Sequence, residues 1–170
     1  EALVRWPRSG RHILAQYDDA SIVVYQAYNP EIADAALRDQ RLGGGSFGFG
    51  RMSWIKPNFL WMMYRSGWAT KPNQERILAL RLPRSRFEAL LSVAVASSHQ
   101  ASHLADEAQW RAELAGSEVR LQWDPDHAPD GAPCERRAVQ LGVRGATLRS
   151  FALEWLTEVR DVTPFVIEQR

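Results

Sequence analysis

Pro57 interrupts the most aromatic stretch of the chain, residues 51–68, RMSWIKPNFLWMMYRSGW. Proline has no backbone N–H and its ring clashes with the preceding turn, so the stretch cannot run on as one central strand or one helix. It divides in two. Residues 51–56 read as a short strand, and residues 58–66 as a helix that Gly67 closes with a left-handed cap. On that helix Phe59, Met62 and Met63 share a face, Leu60 and Tyr64 lie one turn apart, and Trp61 pairs with Arg65. A helix this apolar on most sides is expected to be buried, which makes Arg51, Lys56 and Arg65 unusual company. Any one of them is explained by an aliphatic stem that carries its charge to water. The three together point to a site.

Charge falls in blocks. Between residues 51 and 86 there are eight Lys and Arg against one acid, Glu75. Between residues 99 and 135 there are eight acids against Arg111 and Arg120. The net charge of +1 conceals this asymmetry. A basic region lined with aromatic rings suits a phosphate-bearing ligand with a stacking base.

The rest of the chain reads as α+β. Residues 21–28, SIVVYQAY, are β-branched and aromatic and predict a strand. Gln26 and Tyr28 point the same way on it. Asn29 then caps a helix over residues 30–40, with Pro30 in its first turn and Ile32, Ala33, Ala36 and Leu37 inward. Alternation predicts strands over 13–17, 75–82, 118–123 and 136–143, and a last strand over 164–168. Helical spacing predicts helices over 86–96, capped by Ser85, near 106–114, and over 147–159. Residues 1–12 read as an irregular lead-in and residues 124–131 as a loop on turn chemistry. Strands outnumber helices without alternating strictly with them, so the expectation is a mixed, largely antiparallel sheet flanked by helices, in one domain over residues 1–170.

Several chemistries find no motif. There is no phosphate loop of the G-x-x-x-x-G-K type, no nucleophile elbow, and residues 43–50 lack the spacing of a dinucleotide fingerprint. One Cys and four scattered His offer no zinc ligand spacing. Cys134 has Arg136 and Arg137 nearby, but an inert thiol is the favoured reading. Asp124, Asp126 and His127 suit a hard cation less well than a turn with carboxylate caps. The lone cysteine fits a reducing compartment, and no leader or membrane-length apolar run is visible, so a cytoplasmic protein without membrane contact is expected.

Two resemblances follow from wording and layout. The segments VYQAY (24–28), the stretch 51–68, QWDPDH (122–127) and RRAVQLG (136–142) resemble a family described only as a domain of unknown function. The order of elements over residues 21–66 also resembles the front half of the ADP-ribosyltransferase superfamily: a strand, Asn-Pro-Glu, a short helix, a glycine-rich loop, a short strand and an aromatic helix. That resemblance implies a split sheet and NAD as the substrate-cofactor. Gln26 stands where the superfamily carries a first-strand His or Arg, and Ser53 or Trp54 at its second-strand position. Tyr64 would stack on the nicotinamide end, and Glu168, or alternatively Gln140, would supply the late-strand acid position. Gln26, Tyr64 and Glu168 are then the catalytic set, with Tyr28, Arg51, Ser53, Trp54, Lys56 and Arg65 around NAD.

Three competing readings accompany it. Without a carboxylate, the superfamily's RNA 2′-phosphotransferases become the closer likeness, and Arg136, Arg137 and His127 form a possible second anion site. Cations interleaved with Trp and Tyr also describe a single-stranded nucleic-acid surface. A plain interaction scaffold is the third possibility. An enzyme predicts one pocket joining Gln26, Arg51, Lys56 and Arg65; a nucleic-acid module predicts an open basic groove; a scaffold predicts cations pointing separately into solvent.

Overall fold

Strand β2 (Ser21–Tyr28) forms where expected and is buried along nearly all its length. It pairs antiparallel, residue for residue, with β4 (Arg76–Pro83), from Ser21 opposite Pro83 to Tyr28 opposite Arg76. β8 (Glu158–Asp161) adds to the other side of β4, giving a three-stranded sheet in the order β2-β4-β8. A computed structural model of the chain describes residues 6–170, and everything structural below concerns those residues.

The second sheet is built on an antiparallel pair, β6 (Val119–His127) and β7 (Pro133–Val143), with a bulge between Pro125 and His127. β5 (Val95–Ala96) runs parallel along β6. On the far edge of β7, β1 (Gly10–Arg11) pairs parallel at one end and β3 (Ser53–Ile55) antiparallel at the other. The architecture is α+β with a mixed sheet and an antiparallel one. A single bridge clips the two together: the Tyr25 N–H donates to the Lys56 carbonyl at 2.7 Å.

Helices form at their caps. Asn29 accepts from the Ile32 N–H at 2.9 Å and opens α1 (Pro30–Asp39). The helix ends at Gln40, whose side chain both donates to and accepts from the Val159 backbone, at 3.1 and 3.0 Å, and so ties α1 to β8. Asn58 caps α2 (Phe59–Ser66), and Gly67, at φ 59°, ends it. α2 buries Trp61, Met62 and Met63 and leaves Tyr64 and Arg65 outward. The remaining helices are α3 (Arg84–Val93), α4 (Glu107–Gly116), α5 (Gly145–Ser150), which widens into a π-type turn over Phe151–Trp155, and α6 (Thr163–Gln169). The main core lies between the sheets and α1, α3 and α5, around Val24, Leu80, Leu141 and Phe151. A second cluster joins Val23, Tyr25, Met62, Met63, Ile77 and Val166.

Several expectations need correction. The last segment is a helix: the Asp161 carboxylate accepts from the Thr163 N–H at 2.9 Å, and Pro164 sits in the first turn, where its missing N–H costs nothing. The helix expected over 147–159 stops at Trp155, and its last two residues, 158 and 159, open β8. β6 runs on through residues 124–127, because the alternating side chains there are held on the sheet by partners from β7. Ser85 caps nothing; α3 starts at Arg84 and stops at Val93, ahead of β5. Residues 13–17 form no strand beyond a bridge from Tyr17 to Ile22. Of the lead-in, residues 1–5 lie outside the described residues, and Gly10–Arg11 is β1.

Candidate functional site

Beside the isolated bridge between Tyr25 and Lys56 a cavity of about 310 Å³ opens. Gln26 and Tyr28 of β2, Ser53 and Trp54 of β3, Lys56, Arg51, and Met62 and Arg65 of α2 all line it, with Phe47 and the Asn73–Gln74 turn completing the wall. Gln26, Tyr28, Arg51, Ser53, Trp54, Lys56 and Arg65, singled out from sequence, are therefore brought together in one place. No Asp or Glu is among the lining residues.

Gln26 replaces the missing ladder with its side chain. Its Nε2 donates to Ser53 Oγ at 2.8 Å and to the Trp54 carbonyl at 3.2 Å, and its Oε1 accepts from the Tyr28 hydroxyl. Each polar atom of the Gln26 amide is thus engaged within the protein, so Gln26 positions Ser53 and Tyr28. Burial pushes the Tyr28 phenol well above its ordinary range, while Ser53 and the Arg51 charge pull it back in part. It stays a neutral donor.

Lys56 is 7% exposed. Its Nζ donates to the Trp54 carbonyl at 3.0 Å and stands 5.3 Å from the Trp61 ring centre. Burial, reinforced by the Arg65 charge and opposed in part by the Asp124 carboxylate, brings its pKa down from 10.5 to about 7. Asp124 is held by amide donors from Gln122 at 2.8 Å and Gln140 at 2.7 Å. The sequence offers Asp124 for a cation or a turn cap and Gln140 for the late-strand position; it does not single out Gln122, nor the hydrogen bonds that join the three. Their signal was the period-two pattern Gln122, Asp124, Asp126, which fits a strand face better than a turn.

Gly142 shapes the wall from behind. A Cβ there would collide with the Met52 sulfur and come within 3.1 Å of the Trp54 ring. Only a bare glycine on β7 lets these two side chains lie flat across the sheet.

The charge blocks resolve differently from one another. Arg76 pairs with Asp34 and Asp161, Arg81 with Asp18 and Glu158, and Arg84 with Glu88. Among the described residues, Arg51, Lys56 and Arg65 have no acid within ion-pair distance, and all three face the cavity.

Sequence residues 12–170 match the family model described as Domain of unknown function (DUF4291). The chain belongs to this family. No curated protein matches the DUF4291 chain.

Other candidate residues of this DUF4291 domain lie elsewhere. Tyr64 does not line the cavity; it is half exposed and stacks on the His127 imidazole, rings 3.5 Å apart and 8° from parallel. Glu168 is exposed on α6, not on a strand, and is also outside the lining. Gln140 is buried and spends its amide on Asp124. Arg136, Arg137 and His127 do not form one anion site. Adjacent strand residues point to opposite faces. Arg136 is buried against Asp126 and stands over the Trp6 ring, His127 lies under Tyr64, and Arg137 is exposed. Asp126 is committed to Arg136 and to the His127 N–H, so it is not available to a cation. Among the described residues no group of three His, Cys, Asp or Glu side chains is placed to hold a metal ion. No described helix is long and apolar enough to cross a membrane.

Proposed function

We propose that the cavity binds a phosphate-bearing nucleotide, and that the protein is an ADP-ribosyltransferase-like enzyme taking NAD there and passing ADP-ribose to an acceptor. One observation carries this reading: a single cavity unites Arg51, Lys56 and Arg65, free of ion pairs among the described residues, with the Trp54 and Phe47 rings and the Gln26–Tyr28–Ser53 hydrogen-bond network. The split arrangement of two sheets clipped at Tyr25 agrees with it.

Roles follow from chemistry. The exposed guanidinium groups of Arg51 and Arg65 offer planar forks to the pyrophosphate. Trp54 and Phe47 supply ring faces and edges for a base or for nicotinamide. In the transfer step the acceptor's lone pair forms a bond to the ribose C1′, and the glycosidic bond breaks with its electrons leaving on nicotinamide. The acceptor's proton passes to the neutral amine of Lys56, which its depressed pKa makes available near neutral pH. Asp124, whose charge reaches Lys56, is the acid that bears on the site.

The absence of an acid from the lining favours a second reading. A wall of cations stabilises phosphate oxygens and opposes an oxocarbenium ribose. Holding the 2′-phosphate of an RNA makes the first demand and not the second.

Thermal unfolding with NAD, ADP-ribose, ATP and a short 2′-phosphorylated RNA, on the natural protein and on Arg65→Ala, tests both. A ligand at 100 times its dissociation constant adds about 2.7 kcal/mol, a rise of roughly 5–11 °C for a chain of this size. A rise with NAD that Arg65→Ala abolishes, with nicotinamide released on incubation, supports the transferase. A rise with the RNA alone supports the second reading. No rise with any of the four sinks both.

A further inference from the structure

The other face of the large sheet carries a second basic hollow, separate from the cavity. Arg11 on β1 and Arg137 on β7 are register partners in parallel strands, so their side chains stand next to each other on the same face. Both are exposed, and both line one hollow of about 380 Å³. Among the described residues neither side chain has an acid within ion-pair distance, and neither makes a hydrogen bond. Like charges placed side by side in a sheet repel unless an anion bridges them. No acid is among the residues lining the hollow, and the Ser98 hydroxyl and Gln100 amide add neutral hydrogen-bonding groups at its rim.

Trp123 of β6 is half-buried, lines the same hollow as the two arginines, and is shared with an adjoining hollow of about 390 Å³ whose wall includes Trp110, His103 and Glu113. Trp110 is pinned, its indole N–H donating to the Ala96 carbonyl at 2.9 Å. Paired unpartnered guanidinium groups sharing a hollow with one indole, and a second indole in the adjoining hollow, have the composition of a surface that holds a phosphodiester and stacks its base.

We infer that this hollow, built on Arg11, Arg137 and Trp123, is a binding site for single-stranded nucleic acid, with the arginines on the backbone phosphates and Trp123 under a base. The site stands on its own observations and does not depend on what occupies the cavity.

The probe is a labelled oligouridylate of about eight nucleotides, within the site sizes of single-strand modules, carrying no terminal phosphate. Its anisotropy is followed over a salt series. Because both arginines are exposed, Arg11→Ala and Arg137→Ala are expected to unfold at the natural temperature. Each is expected to weaken binding roughly tenfold at low salt and to lower the log–log salt slope by about 0.7. Binding is also expected to quench the Trp123 fluorescence, and Trp123→Phe to lose that signal. Unchanged affinity and slope in the double arginine variant would overturn the assignment. So would an acidic peptide of matched charge that binds as tightly as the oligonucleotide, or no binding of the oligonucleotide at all. Titration with ADP-ribose reads only the cavity, so failure there and failure here are told apart.

Discussion

Lys56 is the residue on which the chemistry of the cavity turns. Its folded pKa of about 7 lies below the ordinary 10.5, so between those values the unfolded chain holds a proton that the folded one has given up. Stability must therefore rise with pH across that window, and it falls away as pH drops toward 7 and the buried amine takes on charge. Lys56→Met removes the titration. Its unfolding temperature is expected to exceed that of the natural protein at and below pH 7 and to be flatter from there upward. Melting curves for both proteins over this range check it; parallel curves would show that Lys56 is not buried as a near-neutral amine. Lys56 was legible in the sequence as a cation out of place among aromatics. Its altered acidity was not, because that depends on burial and on Arg65 and Asp124, which come from two other elements.

Elements were legible wherever caps and breakers spoke. Pro57 and Gly67 delimit α2 in the structure as they do in the sequence, while Asn58, expected as the first helical residue, is its N-cap. Asn58 Oδ1 accepts from the Trp61 N–H at 2.9 Å, while its Nδ2 is buried without a partner. Asn58→Ala is expected to cost about 1 kcal/mol, the usual worth of an N-cap. Asn58→Ser keeps the cap and drops the orphan donor, so it should cost less; denaturant midpoints at constant slope decide this. Gly142→Ala is an experiment on β7. The new methyl group would push Met52 and Trp54 toward the cavity, so nucleotide affinity should fall more than stability does, as titration and melting on the same variant would show. Illegible elements share a cause. Residues 164–168 alternate because Val166 is buried between exposed Phe165 and Ile167, a pattern that one short turn of helix shares with a strand. The run 124–127 carries turn residues, but pairing with β7 outweighs local preference.

For the molecule as a whole, the sequence could place strands but not assign them to sheets. The split into β2-β4-β8 and the β6–β7 sheet is decided by long-range pairing, and the clip between Tyr25 and Lys56 joins residues 31 positions apart with no local signal (56 minus 25). That clip makes the cavity, because Gln26 and Ser53 face each other just past it. Arg51, Lys56 and Arg65 were legible from their charge among aromatic residues, whereas Gln26, Tyr28, Ser53 and Trp54 were named through the ADP-ribosyltransferase resemblance, and all seven line the cavity; Tyr64 and Glu168 do not, because a helix face and a terminal element depend on packing that the sequence does not display. Membership in the DUF4291 family covers nearly the whole chain, so the same cavity can be sought in its other members. Everything proposed for this cavity rests on its receiving a phosphate-bearing nucleotide. The most direct test is a calorimetric titration of the natural protein and of Arg65→Ala with ADP-ribose, with adenosine as the phosphate-free control. Saturable binding of ADP-ribose is expected, weakened about 10–100-fold by Arg65→Ala, with adenosine binding far more weakly to both. Equal affinity of the two proteins for ADP-ribose, or no binding to either, would contradict it.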